Sequence, residues 1–263
     1  MTILASGSSG NATLIETSRT RLLVDAGLSR REMQRRLQAV GLEPGPLDGL
    51  IVTHEHTDHT SGLAAVASTL CGPTFLTEGT RRALLAEVGP QARPEAVECV
   101  RAGQQFQVGD IEVTLFSVPH DAAEPVACSF RANGVKVAIV TDLGYLPHLV
   151  RYHLQGTDCL ILESNHDVEM LKVGPYPWVV KQRVMSRIGH LSNHAVAEFL
   201  ADADSFDGRP RYLVLAHLSE NNNTPELARL SAEQALAARP PLAAFGGTLL
   251  VASQRVPLGP IEL

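Results

Sequence analysis

Short apolar runs and longer amphipathic stretches alternate along most of the chain. Ten runs of four to seven residues, apolar or alternating between apolar and polar residues, have the length and the flanking polar residues that are typical of β-strands. These runs are residues 12–16, 21–24, 50–53, 105–108, 112–118, 127–132, 136–141, 159–163, 212–216 and 248–252. We therefore predict a chain rich in short strands, with helices between them.

Start signals and helical spacing predict four helices. Ser29 and Glu32 form a capping box, and Met33, Leu37 and Val40 recur at helical spacing after it. The other helices are predicted after Thr60, from Ser192 or Asn193 to about Ala203, and from Thr224, which precedes a proline at the first helical turn. Strands and helices interleave in two halves, and two packed sheets with helices outside would satisfy this order.

Length and composition fit an ordinary globular protein. The chain has 263 residues, 44% apolar and 19% charged, and no repeat or long linker divides it. The length alone allows one large domain or two small ones. Because no linker separates two compositions, we predict a single domain over residues 1–263. The net charge of −6 argues against a protein that coats nucleic acid non-specifically, since such proteins are usually basic. Any contact with DNA must therefore involve a limited part of the surface.

Cysteine spacing and the absence of a leader indicate a cytoplasmic protein. The chain contains no CxxC pair, and its thiols are expected to be reduced and buried. The four cysteines are Cys71, Cys99, Cys128 and Cys159. No charged-then-apolar leader follows Met1, and no apolar run approaches the roughly 20 residues of a membrane span. We expect no membrane association.

The segment His54-Glu55-His56-Thr57-Asp58-His59 carries the strongest chemical signal. It follows the apolar run 50–53 and is predicted to be a loop. On extended backbone, His54 and His56 point the same way, so they can hold one ion together. Asp58 and His59 are then free to face a second ion. Imidazole and carboxylate ligands suit zinc, manganese or iron, so the segment predicts a metal site.

Three further metal-ligand candidates follow apolar runs directly. His120 comes after the run 112–118, Asp142 after 136–141 and His217 after 212–216. Rigid strand ends are good places to fix ligands, and the carboxylate of Asp142 could bridge two ions.

The pattern HEHTDH resembles the HxHxDH signature of the metallo-β-lactamase superfamily, and the three later ligands match its remaining motifs in order. The resemblance implies a mixed α/β fold, a four-layered αββα sandwich. It also implies a ligand set for two ions: His54, His56 and His120 for the first, and Asp58, His59 and His217 for the second, with Asp142 between them. By the same resemblance, Asp25 is expected to hold the ligand loop in position without being a metal ligand itself, because metal-bound imidazoles need their other nitrogen fixed.

Further stretches resemble one branch of this superfamily, the YycJ (WalJ) group of DNA-processing exonucleases. The match runs from about residue 5 to about residue 223, and nothing after about residue 240 contributes to it. The stretches are residues 7–11, 118–121, 141–145, 163–167, 189–193 and 216–221. The resemblance implies a 5′-to-3′ DNA exonuclease with a role in DNA repair.

The expected reaction is hydrolysis of a phosphodiester. Two divalent ions, Mn or Zn, can activate a shared water, with Asp58 and Asp142 acting through the metals. Ser192 or Asn193 caps a helix whose free N–H groups favour an anion beside His190. His190 is then a phosphate contact or the acid that protonates the leaving oxygen. His166 and Ser9 are further substrate-binding candidates, each with an ordinary structural explanation beside it.

Two other functions stay open from the sequence. One is a small-molecule hydrolase acting on a cyclic phosphodiester, thioester or lactone at the same metal site. The other is a binding protein that keeps the fold but not the reaction.

A basic stretch of the chain contains two aromatic residues that could stack on nucleic-acid bases. A helix face that is simply exposed to solvent explains these charges equally well. This stretch contains Lys172, Tyr176, Trp178, Lys181, Arg183 and Arg187.

Overall fold

The computed structural model describes residues 1–67, 72–88 and 96–263 and divides the chain into two compact units. Unit 1 consists of Met1–Ser117, Ala122–Ala132 and Ser253–Glu262, and unit 2 consists of Val118–Asp121, Asn133–Ala252 and Leu263. The expectation of one domain stays a prediction. Within the described ranges, no helix combines the length and the apolar character needed to cross a bilayer.

Unit 1 contains a six-stranded sheet in which the strands follow their order along the chain. These strands are β1 (Thr2–Ala5), β2 (Ala12–Glu16), β3 (Arg21–Val24), β4 (Gly49–Ile51), β5 (Thr74–Thr77) and β6 (Val97–Val100). The β1–β2 and β2–β3 pairs are antiparallel, and the pairs from β3 to β6 are parallel. The ends of β3 and β4 therefore lie side by side, and Asp25 and the His54–His59 segment follow them.

The helices of unit 1 are α1 (Arg30–Ala39), α2 (Thr57–Thr60), α3 (Leu63–Ala67) and α4 (Glu78–Val88). The hydroxyl of Ser29 accepts a hydrogen bond from the Glu32 amide at 3.3 Å, which confirms the predicted cap of α1. Leu37 on α1 is buried in one cluster with Leu4, Leu14 and Leu23 of the sheet. Burial of this apolar face holds α1 on the sheet.

Three more strands of unit 1 form an antiparallel meander: β7 (Gln105–Val108), β8 (Ile111–Ser117) and β9 (Val126–Ala132). The amide of Val126 at the start of β9 donates to the carbonyl of Thr53 at 3.1 Å. This bond fixes the backbone immediately before His54.

Unit 2 is built on four parallel strands in the order β10 (Val135–Val140), β11 (Cys159–Glu163), β12 (Tyr212–Ala216) and β13 (Thr248–Val251). Its helices are α5 (His148–Leu154), α6 (Val168–Val173), α7 (Trp178–Val184), α8 (Asn193–Ala201) and α9 (Pro225–Ala237), and a 3-10 turn covers Pro241–Ala243. Parallel strands end at the same edge of a sheet, so Asp142, Glu163 and His217 meet there.

All ten predicted strands are present, five of them with the predicted bounds and the others shifted by one or two residues. The pattern did not predict β1, β5 or β6, nor the helices α4 to α7. The expectation of buried thiols is confirmed for Cys128 and Cys159. It is wrong for Cys99, which is exposed at the sheet edge with its thiol toward Glu78. Cys71 lies outside the described residues.

Candidate metal centre

Three imidazoles of the HEHTDH segment lie together in unit 1. The ring centroids of His54 and His56 are 4.6 Å apart, and those of His54 and His59 are 4.1 Å apart. His54 and His59 are buried, and His56 is half-buried. The prediction of a loop needs one correction, because α2 begins at Thr57. Asp58 and His59 therefore lie on a helical turn, since the chain folds back immediately after the two alternating histidines.

Asp25 and Thr53 orient the rings of His54 and His59 through contacts with their Nδ1 atoms. Nδ1 of His59 lies 2.8 Å from Oδ2 of Asp25. The hydroxyl of Thr53 donates to Asp25 at 3.0 Å and lies 3.0 Å from Nδ1 of His54. Because a carboxylate only accepts, the Nδ1 atoms carry the protons, and Nε2 is the ring atom that can coordinate a metal ion. The predicted contact of Asp25 with the ligand loop is confirmed.

Asn11 is a contact that sequence reasoning missed. Its backbone amide donates to the carbonyl of Asp58 at 2.7 Å, and its side-chain amide lies 3.1 Å from Oδ2 of Asp58 and 3.0 Å from Nε2 of His59. Gly27 packs against the same turn, where a β-carbon would come within 1.8 Å of the Asp58 carbonyl oxygen. The turn that carries Asp58 and His59 is thus held on both sides.

Unit 2 brings four potential ligands together at the ends of its parallel strands. One ligand atom from each of Asp142, Glu163, His190 and His217 lies within 4.8 Å of all the others. Asp142 and His217 both have left-handed backbone, with φ of +61° and +55°. Such conformations are strained for residues other than glycine, and they persist where the surrounding structure fixes them. Here they turn the two side chains into the cluster.

Glu163 is the centre of this cluster, and sequence reasoning assigned it no role. Its Oε1 lies 2.8 Å from Nδ1 of His190, 2.8 Å from Nδ1 of His217 and 3.1 Å from the amide of Asp142. Its Oε2 accepts from the amides of Leu143 at 3.3 Å and Leu191 at 2.8 Å. One buried carboxylate thus positions the loops after β10 and β12 and the segment between α7 and α8.

The charges of this cluster shift its titration. Burial alone raises the pKa of Glu163, but the positive charge of His190 and the hydrogen bonds from His190 and His217 outweigh it and lower the pKa to about 2. Burial alone lowers the pKa of His190, and the charge and hydrogen bond of Glu163 raise it above its ordinary value. Glu163 is therefore a fixed anion at neutral pH.

His120 approaches the same cluster from its own loop. Its Nδ1 lies 3.2 Å from the carbonyl oxygen of Gly189, which fixes the proton on Nδ1. Its Nε2 lies 3.9 Å from Oδ1 of Asp142 and 3.5 Å from Oδ1 of Asp121. Burial lowers the pKa of His120, so the neutral, metal-binding form is favoured.

The helix start beside His190 has the predicted cap. Ser192 caps α8, and its hydroxyl accepts from the amide of Ala195 at 3.1 Å. The side chain of Asn193 is buried. Its oxygen accepts hydrogen bonds from the hydroxyl of Ser164 at 2.7 Å and from the side-chain amide of Asn223 at 2.9 Å. Ser192 is thus the helix cap, and the Asn193 side chain is bound within unit 2.

The remaining substrate-binding candidates have different surroundings. His166 is buried, its carbonyl accepts from the Asn193 amide at 2.8 Å, and burial lowers its pKa to about 4. Nδ1 of His166 has no hydrogen-bond partner within the described part of the chain. Ser9 is exposed in unit 1, where its amide donates to the side chain of Gln254 at 2.8 Å.

The donor set fits divalent metal ions. The imidazoles of His54, His59, His120 and His217 each have Nδ1 directed at an oxygen atom, which leaves Nε2 as the coordinating atom. Such pairing of imidazole with a carboxylate, hydroxyl or carbonyl oxygen is the usual support of metal-binding histidines. Imidazole and carboxylate donors together suit zinc and manganese.

Comparisons with known proteins identify the fold and the family. A family model described as "Beta-lactamase superfamily domain" matches residues 20–218. The structure resembles the crystal structure of Zn²⁺-bound PqqB from Methylobacterium extorquens, with a TM-score of 0.69 at 17% identity, covering 98% of this chain and 100% of that one. It also resembles the metallo-β-lactamase fold protein YhfI from Bacillus subtilis, with a TM-score of 0.68 at 16% identity, covering 98% and 99%. The predicted fold class is confirmed.

Two curated proteins match at higher identity. Exodeoxyribonuclease YycJ of Bacillus anthracis is 40% identical over 234 residues, which cover 89% of this chain and 88% of that protein. Exodeoxyribonuclease WalJ of Streptococcus pneumoniae is 36% identical over 240 residues, covering 89% and 87%. The chain therefore belongs to the β-lactamase superfamily and, within it, to the YycJ/WalJ group.

Proposed function

We propose that this chain is a metal-dependent exodeoxyribonuclease. The observation that carries the proposal is its identity of 40% and 36% to two exodeoxyribonucleases over nearly their whole length. The clustered imidazoles and carboxylates in each unit supply the donors that such a hydrolase needs. The small-molecule hydrolase and the non-catalytic protein are not favoured by these relatives.

The proposed ligands are the seven side chains of the motifs: His54, His56, Asp58, His59, His120, Asp142 and His217. Support comes separately from each unit, in which the coordinating atoms are oriented by Asp25 and Thr53 or by Glu163 and Gly189. Two divalent ions, when bound, lower the pKa of a water molecule and neutralise charge on the phosphodiester. We propose Mn or Zn, because both accept this donor set.

His190 is proposed to contact the scissile phosphate or to protonate the leaving oxygen. Its Nδ1 is held by Glu163 at 2.8 Å, so Nε2 is the atom that can donate to a substrate oxygen. The ring is one-fifth exposed, in contrast to the buried His217, so a ligand can reach it. This geometry supports the proposed role of His190 as a proton donor.

The remaining substrate contacts are weaker proposals. Ser192 and Asn193 at the start of α8 stay predicted phosphate contacts, but the free amides expected there are partly used, because the amides of Asn193 and Ala195 donate to the His166 carbonyl and the Ser192 hydroxyl. His166 and Ser9 stay predicted contacts. We place the activity in the cytoplasm, in a DNA-repair process that acts on 5′ ends, and the free thiols of Cys128 and Cys159 fit a reducing compartment.

A digest of duplex DNA labelled at the 5′ or the 3′ end tests the proposal. We expect nucleotide release in the presence of manganese, with the 5′ label released first. Asp142→Ala should lose both metal content and turnover. His190→Ala should keep both ions and lose rate, whereas Asp204→Ala, at an exposed position, should digest like the wild type. No nucleotide release under any metal would refute the proposal.

A further inference from the structure

Unit 2 exposes a group of large side chains between α6 and α8. Trp178 is 62% exposed and Val179 75% exposed at the start of α7, Val173 is 85% exposed at the end of α6, and Ile188 is 50% exposed after α7. We call these four residues, with Tyr176 between α6 and α7, the α6–α7 surface. Exposed apolar side chains grouped in this way usually mark a binding surface.

The charge of this segment is opposite to that of the whole chain. Residues 170–197 contain Lys172, Lys181, Arg183 and Arg187 and no aspartate or glutamate, although the chain has a net charge of −6. Lys172 is paired with Glu169, Arg183 is paired with Asp121 and Lys181 is buried, so the exposed Arg187 contributes most of the positive charge of this surface. An anionic partner is therefore favoured here over a neutral or basic one. Aromatic side chains interleaved with cations are the combination that binds single-stranded nucleic acid.

The surface is rigidly supported. Lys181 is buried, and its ammonium donates to the carbonyl of Lys172 at 2.7 Å, which ties α7 to the end of α6. The hydroxyl of Tyr176 accepts from the side chain of Asn221 at 3.3 Å. The guanidinium of Arg187 lies over the ring of Tyr145, 4.2 Å from its centroid. These contacts hold Tyr176, Lys181 and Arg187 in place before any ligand arrives.

The end of α7 adjoins the ligand cluster of unit 2. Arg183 forms an ion pair with Asp121, which follows His120 in the chain. The amide of His190 donates to the carbonyl of Val184 at 2.9 Å. His120 in turn has its Nδ1 3.2 Å from the carbonyl oxygen of Gly189. The end of α7 is thus in contact with the residues proposed to handle the phosphodiester, and a DNA strand that followed α7 from Trp178 toward Arg183 would run toward them.

We propose that the α6–α7 surface binds unpaired nucleotides of the DNA substrate, with a base stacked on Trp178 and phosphates near Arg183 and Arg187. This inference rests on the proposed nuclease function and names the form of DNA that the enzyme holds. A second copy of the chain is a poorer occupant, because symmetric pairing would bring the exposed guanidinium groups of Arg183 and Arg187 toward the same groups of the other copy. The centres of protein interfaces are also depleted of charge, whereas cations interleave this surface.

Trp178 provides a direct probe, because it is the only tryptophan of the chain. The test uses the full-length, metal-loaded protein and a 12-nucleotide phosphorothioate single strand that resists cleavage. We expect the strand to quench tryptophan fluorescence, because a stacked base contacts the indole ring. An equivalent blunt duplex should quench far less. Absence of quenching at strand concentrations that saturate binding would overturn the assignment.

Variants measure the contribution of the surface to affinity. Fluorescence anisotropy of a labelled single strand should show that Trp178→Ala weakens binding about tenfold, as expected for one lost stacking contact. Arg187→Ala should lower the slope of log K against log salt by about 0.7. Tyr152→Ala removes an aromatic side chain, 69% exposed on α5, and should bind like the wild type. Unchanged affinity of Trp178→Ala would refute the proposal.

Two readouts separate this inference from the proposed function. If the wild type binds the single strand through Trp178 but releases no nucleotide from cleavable DNA, the surface is supported and the nuclease function fails. If both the wild type and Trp178→Ala digest DNA with the same KM, the function stands and the surface assignment is wrong. A dimer of the wild type that becomes a monomer in Trp178→Ala, measured by light scattering, would also overturn it.

Discussion

Replacement of Glu163 by glutamine removes one charge and keeps the side-chain shape. In the wild type, five donors converge on the two carboxylate oxygens, three on Oε1 and two on Oε2. A glutamine offers one acceptor oxygen and one NH₂ group. Its best arrangement places the oxygen at the Oε1 position and the NH₂ against the amides of Leu143 and Leu191. Glu163→Gln therefore leaves two buried backbone donors without an acceptor.

The size of the effect follows from these donors. Each buried donor left unsatisfied costs about 1–3 kcal/mol, so the free energy of unfolding should fall by about 2–6 kcal/mol. The imidazoles of His190 and His217 also lose a charged acceptor. Loss of such an outer contact typically lowers metal affinity by about 10–100-fold, although Glu163 is not one of the seven proposed ligands.

Chemical denaturation of the metal-free protein gives the first quantity, and competition with a chelator gives the second. Glu198→Gln is the matched control, because it makes the same change at an exposed position on α8. We expect the control to match the wild type in both measurements. If Glu163→Gln lost less than about 1 kcal/mol of stability and kept wild-type metal affinity, the predicted contribution of Glu163 to stability and to metal binding would be refuted.

Three further predictions concern other parts of the molecule. The hydroxyls of Thr20 and Thr17 hold the pKa of Asp110 at about 2, below its usual 3.8, so its contribution to stability is present above about pH 3.8 and lost as the pH falls toward 2. Asp110→Asn should therefore lower the thermal unfolding midpoint at pH 7 and leave it nearly unchanged at pH 2. Gly27→Ala should lower both that midpoint and the metal content, because its β-carbon would force the Asp58 carbonyl to move; a midpoint equal to that of the wild type would contradict the packing. Removal of bound metal by a chelator should lower the midpoint and added manganese should restore it, since a ligand that binds only the folded chain stabilises it.

Some of the site could be predicted because its signal is local. His54 and His56 alternate directly after an apolar run, and this pattern indicates a metal-binding segment even when the fold is not known. Asp142 and His217 were predicted at strand ends, and the structure confirms that position by placing them just after β10 and β12. The assignment of all seven side chains as ligands to two ions stays a prediction.

The role of Glu163 depends on contacts that the sequence does not display. As the last residue of β11, it looks like the polar end of an apolar run. Its contacts with Asp142 and His217 arise because β10, β11 and β12 are parallel neighbours, which brings the loops after β10 and β12 to the carboxylate at the end of β11. Pairing of strands more than 20 residues apart is not encoded in local periodicity.

The helices α6 and α7 were missed for a different reason. Each has fewer than two full turns, and the prolines at positions 175 and 177 interrupt the pattern between them. Segments this short show too few repeats for a helical period to be recognised. The basic stretch and Trp178 were visible in the sequence, but the exposure of Trp178 and the hydrogen bond from the His190 amide to Val184 on α7 became clear only in the folded unit.

The dependence of DNA hydrolysis on bound metal tests the central claim most directly. Protein stripped of metal would be titrated with manganese while nucleotide release from 5′-labelled duplex DNA is measured. We predict no release from the stripped protein and activity that rises until two ions are bound per chain. Release of nucleotides at the full rate by the metal-free protein would contradict the account.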